Sequence, residues 1–139
     1  MKKLFLALLV ATLPAVATAQ FGNGPTMWAI QHAPAAAAQA TISKAADAAA
    51  YHVATSVTVC VSAAATAQTP LQISLRDGAT GVGTIVWTVR LSAPANGTAC
   101  VVAPMNIKGT KNTAMTLESA GVTVAGAFAT VSLNGYDTY

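Results

Sequence analysis

Residues 51–62 read YHVATSVTVCVS. Tyr51, Val53, Thr55, Val57, Val59 and Val61 alternate with His52, Ala54, Ser56, Thr58, Cys60 and Ser62. A period of two, carried by β-branched residues, predicts a long strand with one apolar face. The same grammar continues downstream. Leu71, Ile73 and Leu75 alternate with Gln72, Ser74 and Arg76, and Asp77-Gly78 then marks a turn. Ile85, Trp87, Val89 and Leu91 alternate with Val86, Thr88 and Arg90, before Pro94 and Asn96-Gly97 punctuate again. Short strands are expected over Thr98–Val102, Met105–Lys108 and Thr113–Ser119. A last one runs from Val122 to Gly135 and changes phase near Gly126, as a bulge there would require. With Ala40–Lys44 as a first strand, the count is about eight.

No helical period of useful length intervenes, which argues against βαβ units and for an all-β fold, a sandwich or a barrel. One apolar and one polar face per strand suits an antiparallel β-sandwich. A jelly-roll-like arrangement fits better than an immunoglobulin-like one. The two cysteines are too close in sequence, and Trp87 too far from the first of them, for the latter.

Upstream of this domain the grammar differs. Lys2 and Lys3 precede an apolar run from Leu4 to Leu13, Pro14 breaks it, and Ala17-Thr18-Ala19 follows. Basic start, short apolar run and small-x-small site in that order predict a bacterial-type signal peptide over residues 1–19. The run is too short to span a bilayer as a helix, and no transmembrane segment is expected after cleavage. Residues 20–39 read as a linker or N-terminal arm, with room for a short helix after Pro34. Trp28 on that arm is a candidate contact to a partner or to the domain's own surface. The sandwich domain is expected over residues 40–139.

Charged residues make up only 8% of the 139-residue chain, against about 25% in ordinary globular domains. The formal charge is +3, but Lys2 and Lys3 leave with the signal. Five basic residues then stand against Asp47, Asp77, Glu118 and Asp137, a balance of +1. No basic stripe remains to neutralise phosphates, which argues against nucleic-acid binding. A neutral, hydroxyl-rich surface resists association only weakly, so a homo-oligomer or larger assembly is plausible beside a monomer.

Export would carry Cys60 and Cys100 into an oxidising compartment, where such a pair bridges. Closing a loop of about 40 residues stabilises a fold by roughly 4 kcal/mol in the chain-entropy model. Cys60 has the parity opposite to Val57, Val59 and Val61. Either the bridge staples neighbouring strands on the outer face, or a bulge turns Cys60 inward.

The search for chemistry finds little. His32 lies on the arm and His52 near a strand start. Asp47 is the acid nearest to His52 in sequence, but it reads as a turn residue. Asp77 belongs to its turn, Glu118 to an outer strand face and Asp137 to a terminal tail, so nothing forces two carboxylates together. No Gly-x-Ser-x-Gly elbow, no Asp-rich calcium loop and no metal-ligand spacing occurs. The glycines at 78, 81 and 83 lack the helix and Lys-Ser/Thr of a phosphate loop and read as a hairpin tip. No catalytic residue, metal or cofactor is expected. Tyr51, Tyr136 and Tyr139 are the aromatic residues from which a glycan platform would be built.

Several stretches look like strand grammar already familiar elsewhere: ATISKAA at 40–46, YHVATSV at 51–57, LQISLRDG at 71–78, IKGTKNTAMTLE at 107–118 and VSLNGY at 131–136. Together they resemble the Thr/Ala-rich sandwich modules of tailed-phage decoration, head-fibre and tail-fibre proteins, over about residues 40–137. The resemblance implies a jelly-roll-like, self-associating module that binds a particle or cell surface without catalysis. Two features depart from it: a secretion signal and a disulfide. A pilin-like or surface-fibre subunit accounts for both, although no donor strand of alternating apolar residues stands near the expected mature N-terminus. The expected function is therefore a non-enzymatic, exported structural or interaction protein, phage-module-like or pilin-like, with a carbohydrate-binding module as the remaining alternative. Its expected location is periplasmic, cell-surface or extracellular.

Overall fold

The computed structural model describes residues 24–68, 70–120 and 126–139. The expected signal peptide, together with Val122 and Val124, lies outside the described residues. Among the described residues there are eight strands: β1 (Thr26–His32), β2 (Thr41–Lys44), β3 (Tyr51–Ser62), β4 (Leu71–Asp77), β5 (Thr84–Leu91), β6 (Thr98–Lys108), β7 (Met115–Ser119) and β8 (Phe128–Thr138). They form two four-stranded sheets, ordered β1-β8-β3-β6 and β2-β7-β4-β5, with every pair antiparallel. Only β4 and β5 are consecutive neighbours within a sheet; every other connection crosses between sheets. Eight strands in two sheets wound this way make a jelly roll.

The core is where the period of two predicts it. Val57, Val59 and Val61 of β3 meet Ile73 and Leu75 of β4 between the sheets, with Leu117 and Leu133 beside them, all essentially without solvent contact. Burying such side chains stabilises by about 1.5–3 kcal/mol each. Cys60 takes the opposite parity and pairs in register with Cys100 of β6. The disulfide between them therefore lies on the outer face of the first sheet, stapling β3 to the edge strand β6.

Several expectations are corrected. Within the segment expected as a linker, Thr26–His32 is an edge strand, paired with Val131–Asp137 of β8. Its alternation is short but real: Trp28 and Ile30 pack against the core while Met27, Ala29 and Gln31 face out. The folded unit thus begins before residue 40, and a turn rather than a helix follows Pro34. The two short strands expected on either side of Pro104 are one strand, β6. Proline lacks the N–H of a ladder, and it is accommodated because β6 is an edge and its register shifts beside Pro104. Gly126 precedes β8 in a turn with φ of 76° rather than forming a bulge inside it.

A further irregularity sits in β3 itself. Ala54 pairs with Gly135 but Ser56 pairs with Asn134, so Thr55 is an extra residue relative to β8. Such a bulge inverts the facing of everything before it. His52 and Ala54, not Thr55, therefore share the inward face with Val57.

Candidate functional site

Three features of this fold bear on function: a buried polar cluster at one end, an open apolar flank, and the outer face of the first sheet.

The cluster follows from the Thr55 bulge. His52 is turned inward opposite Asp137 of β8, and its Nδ1 lies 2.7 Å from Asp137 Oδ1. The same carboxylate accepts a hydrogen bond from the indole Nε1 of Trp28 at 2.8 Å and an ion pair from Lys44 Nζ at 3.1 Å. Residues of β1, β2, β3 and β8 thus converge on one side chain. Trp28 meets His52 edge to face, with centroids 6.3 Å apart, and Lys44 Nζ lies 5.9 Å from the Trp28 ring centroid. Gly135 makes the approach possible, because a Cβ there would stand 2.4 Å from Trp28 Cζ2. Burial on its own pushes the Asp137 carboxyl up. Hydrogen bonds from His52, Lys44 and Trp28, with the attraction of the Lys44 charge, outweigh it and hold the group below its usual range.

Such a pair raises the question of acid–base chemistry, since a histidine oriented by a carboxylate is the core of a triad. The geometry points elsewhere. A catalytic histidine offers its second nitrogen to a nucleophile or substrate; His52 Nε2 instead lies 2.8 Å from the backbone carbonyl of Ala45. Both partners of the ring are acceptors, so both hydrogen bonds form together only when both nitrogens carry protons. His52 is 1% exposed and Asp137 3%. The arrangement clasps the two sheets.

Asp47, expected as a turn residue, accepts a hydrogen bond from the Ala49 N–H at 2.9 Å. Glu118 is not on an open outer face: it is buried against Arg76, Nε to Oε1 at 2.5 Å, and accepts the Gly81 N–H at 3.0 Å. Together with the Arg76 bond to the Gly83 carbonyl, this pins the glycine-bearing hairpin tip over the second sheet. Among the described residues no group of three or more His, Cys, Asp or Glu is placed to hold a metal. No described helix is long and apolar enough to cross a membrane.

The expected contact residues are placed as follows. Trp28 is docked on its own domain. Tyr51 and Tyr136 belong to neighbouring rows of the first sheet, opposite Thr138 and Val53 respectively. The Tyr51 ring is covered by Lys108, whose Nζ lies 3.9 Å from its centroid. Tyr139 is exposed at the chain end. Tyr51 and Tyr136 are thus diagonal neighbours on adjacent strands, with Lys108 over the first of them. Beyond Tyr136 the outer face is hydroxyl- and amide-rich. A shallow trough of about 300 Å³ lies there, lined by Gln31, His32, Thr58, Thr130 and Ser132 among others.

Sequence reasoning missed the flank formed by β5 and β6. Both are edge strands, and they face one another at one side of the sandwich. Their inward residues, such as Trp87 and Val89 on β5 and Val101 and Met105 on β6, touch the core yet stay only half-buried. Ile85, Val86 and Val102 are exposed beside them. Alternation locates the inward residues of a strand but carries no sign of which strands are edges.

No family model and no curated protein matches this chain. Among solved structures, dimeric latent PorU from Porphyromonas gingivalis is similar at a TM-score of 0.44 and 10% identity, over 82% of this chain and 13% of that one. This chain thus spans about an eighth of the PorU chain. A chain of the Bacillus endospore appendages, described as a novel family of disulfide-linked pili, is similar at a TM-score of 0.38 and 16% identity, over 84% of this chain and 94% of that one. Neither is a phage particle protein.

Proposed function

We propose that this chain is an exported, non-enzymatic structural subunit that associates with copies of itself, in the manner of a pilus or surface-fibre subunit. The observation that carries the reading is the β5–β6 flank. Its apolar side chains lie half-covered between two edges that pair with no further strand among the described residues, on a chain with few charges to discourage contact. Natural sandwiches shield such edges with lysines, prolines or covering loops. Here β5 carries one arginine and β6 a single proline and a terminal lysine.

Two further features support it. The disulfide suits an oxidising compartment outside the cytoplasm. The His52–Asp137 pair, with both ring nitrogens engaged, supports a structural role over hydrolysis. A decoration or fibre module of a tailed-phage particle would use the same flank. The secretion signal expected at residues 1–19 favours the pilus-like version. Lys108 over the Tyr51 ring speaks for the assembly reading over a glycan-binding one.

Size-exclusion chromatography with light scattering, followed by electron microscopy, tests the proposal on the purified, oxidised protein. Assemblies that grow with concentration are expected. A strict monomer at every concentration overturns it.

A further inference from the structure

We infer that copies of this chain associate head to tail, the β1–β2 flank of one against the β5–β6 flank of the next, so that both sheets continue across the contact. The inference rests on the self-assembly reading above and specifies its geometry.

Strand direction is the first reason. In each sheet four antiparallel strands run alternately, so the two edges run in opposite directions. β1 is antiparallel to β6, and β2 is antiparallel to β5. A second copy moved sideways without turning over therefore brings its β1 antiparallel to the first copy's β6, and its β2 antiparallel to β5. Because β1 and β2 contact each other at one side of the sandwich and β5 and β6 at the other, one step satisfies both pairings.

Edge character is the second reason. β1 reads TMWAIQH, without an acid, Lys, Arg or Pro, and pairs with β8 without a register shift. β2 is also regular. β5 and β6 each carry a shift, between Ile85 and Trp87 opposite β4 and beside Pro104 opposite β3. A bulge breaks the ladder locally and twists its strand. Pairing like flanks at the β5–β6 side would set bulged strands against bulged strands. The head-to-tail contact always gives a bulged strand a regular partner.

Coverage is the third reason. A two-fold contact through β1 and β2 would leave the half-buried Val89 and Val101 in water at both ends. A two-fold contact through β5 and β6 would leave β1 bare, with Met27 69% exposed. Of the three contacts taken singly, the head-to-tail one is the one that covers both flanks of every interior copy with a single kind of interface. It is heterologous, and without ring closure it generates a filament.

Two double variants test this, each placing lysines at exposed positions on one flank: Ala29→Lys with Gln31→Lys, and Ile85→Lys with Val102→Lys. Circular dichroism and an intact disulfide establish that each folds. Mass photometry and electron microscopy are then read for each variant alone and for a 1:1 mixture. Wild-type chains are expected to elongate. Each variant alone is expected to raise the concentration for half-assembly by about tenfold or more. The mixture is expected to stop at discrete heterodimers through the two unaltered flanks. If wild-type protein assembles but either variant alone forms homodimers, assembles like wild type, or stays monomeric when mixed, the head-to-tail geometry is wrong and self-assembly stands. Wild-type protein that never assembles sinks both.

Discussion

His52 and Asp137 stand opposite one another across the β3–β8 ladder, Nδ1 to Oδ1 at 2.7 Å, and both point into the sandwich. The contact joins the start of β3 to the end of β8, and through Trp28 and Lys44 it reaches the edge strands β1 and β2. Both edge strands are thereby tied to one buried carboxylate.

Replacing that carboxylate by an amide leaves the shape but removes the charge. In Asp137→Asn, the Lys44 ammonium loses its partner and one oxygen remains to accept from Trp28 and His52. Breaking a buried pair from one side costs about 3–5 kcal/mol when both partners are fully buried. Lys44 keeps 27% of its side chain in solvent, so a loss of about 2–4 kcal/mol is expected in urea unfolding. A cycle with His52→Ala should give a coupling energy of roughly 0.5–3 kcal/mol. Strict additivity would mean the two groups do not act together.

Acid should undo the same clasp. The folded protein holds the Asp137 carboxyl below its usual range, so the unfolded chain binds this proton more readily. The resulting stability is complete above the ordinary aspartate pKa of about 3.9. It is lost as pH falls from there through the lowered folded-state value. Melting temperature followed from pH 6 to pH 2 should fall more steeply in wild-type protein than in Asp137→Asn. Parallel curves would remove Asp137 from the account.

Much of this was legible residue by residue. The period of two located the valines of β3 and the outward parity of Cys60. The inward row of β8, Val131 and Leu133, extends by the same period to Gly135 and Asp137, so the inward aspartate was readable there. His52 was not, because one extra residue at Thr55 inverts the facing of everything before it, and Thr looks like any strand residue. β1 escaped notice for a different reason. Its seven residues carry only two inward apolar side chains, and its partner lies about a hundred residues away in sequence. A bulge at a threonine leaves no composition mark; Pro104 is a mark of the β6 edge, but β5 holds no proline to show that it is the other one.

The disulfide should act on one edge more than on the whole. It joins β3 to β6 across a sequence separation of 40 residues, worth roughly 4 kcal/mol in the chain-entropy model. Cys60→Ser with Cys100→Ser should lower unfolding free energy by about 2–4 kcal/mol. Hydrogen exchange should rise first in β6, whose other long side is unpaired. An even rise across both sheets would show that the bridge steadies the unfolded chain rather than the edge.

Gly135 offers the sharpest local test. A Cβ there would stand 2.2 Å from the Val53 carbonyl oxygen and 2.4 Å from Trp28 Cζ2. The indole can swing away, but the carbonyl belongs to the neighbouring ladder and cannot. Gly135→Ala should therefore cost roughly 3 kcal/mol, at the upper end of what overpacking costs. It should also move Trp28 off Asp137, with a red shift in tryptophan emission. Gly24→Ala, where a new methyl meets nothing within 4 Å, should stay within about 0.5 kcal/mol of wild type. Adding Trp28→Ala to Gly135→Ala relieves the ring contact but not the carbonyl contact, so it should not restore stability. Full recovery in that double variant would place the strain on the indole alone and leave the β3–β8 approach looser than the structure has it.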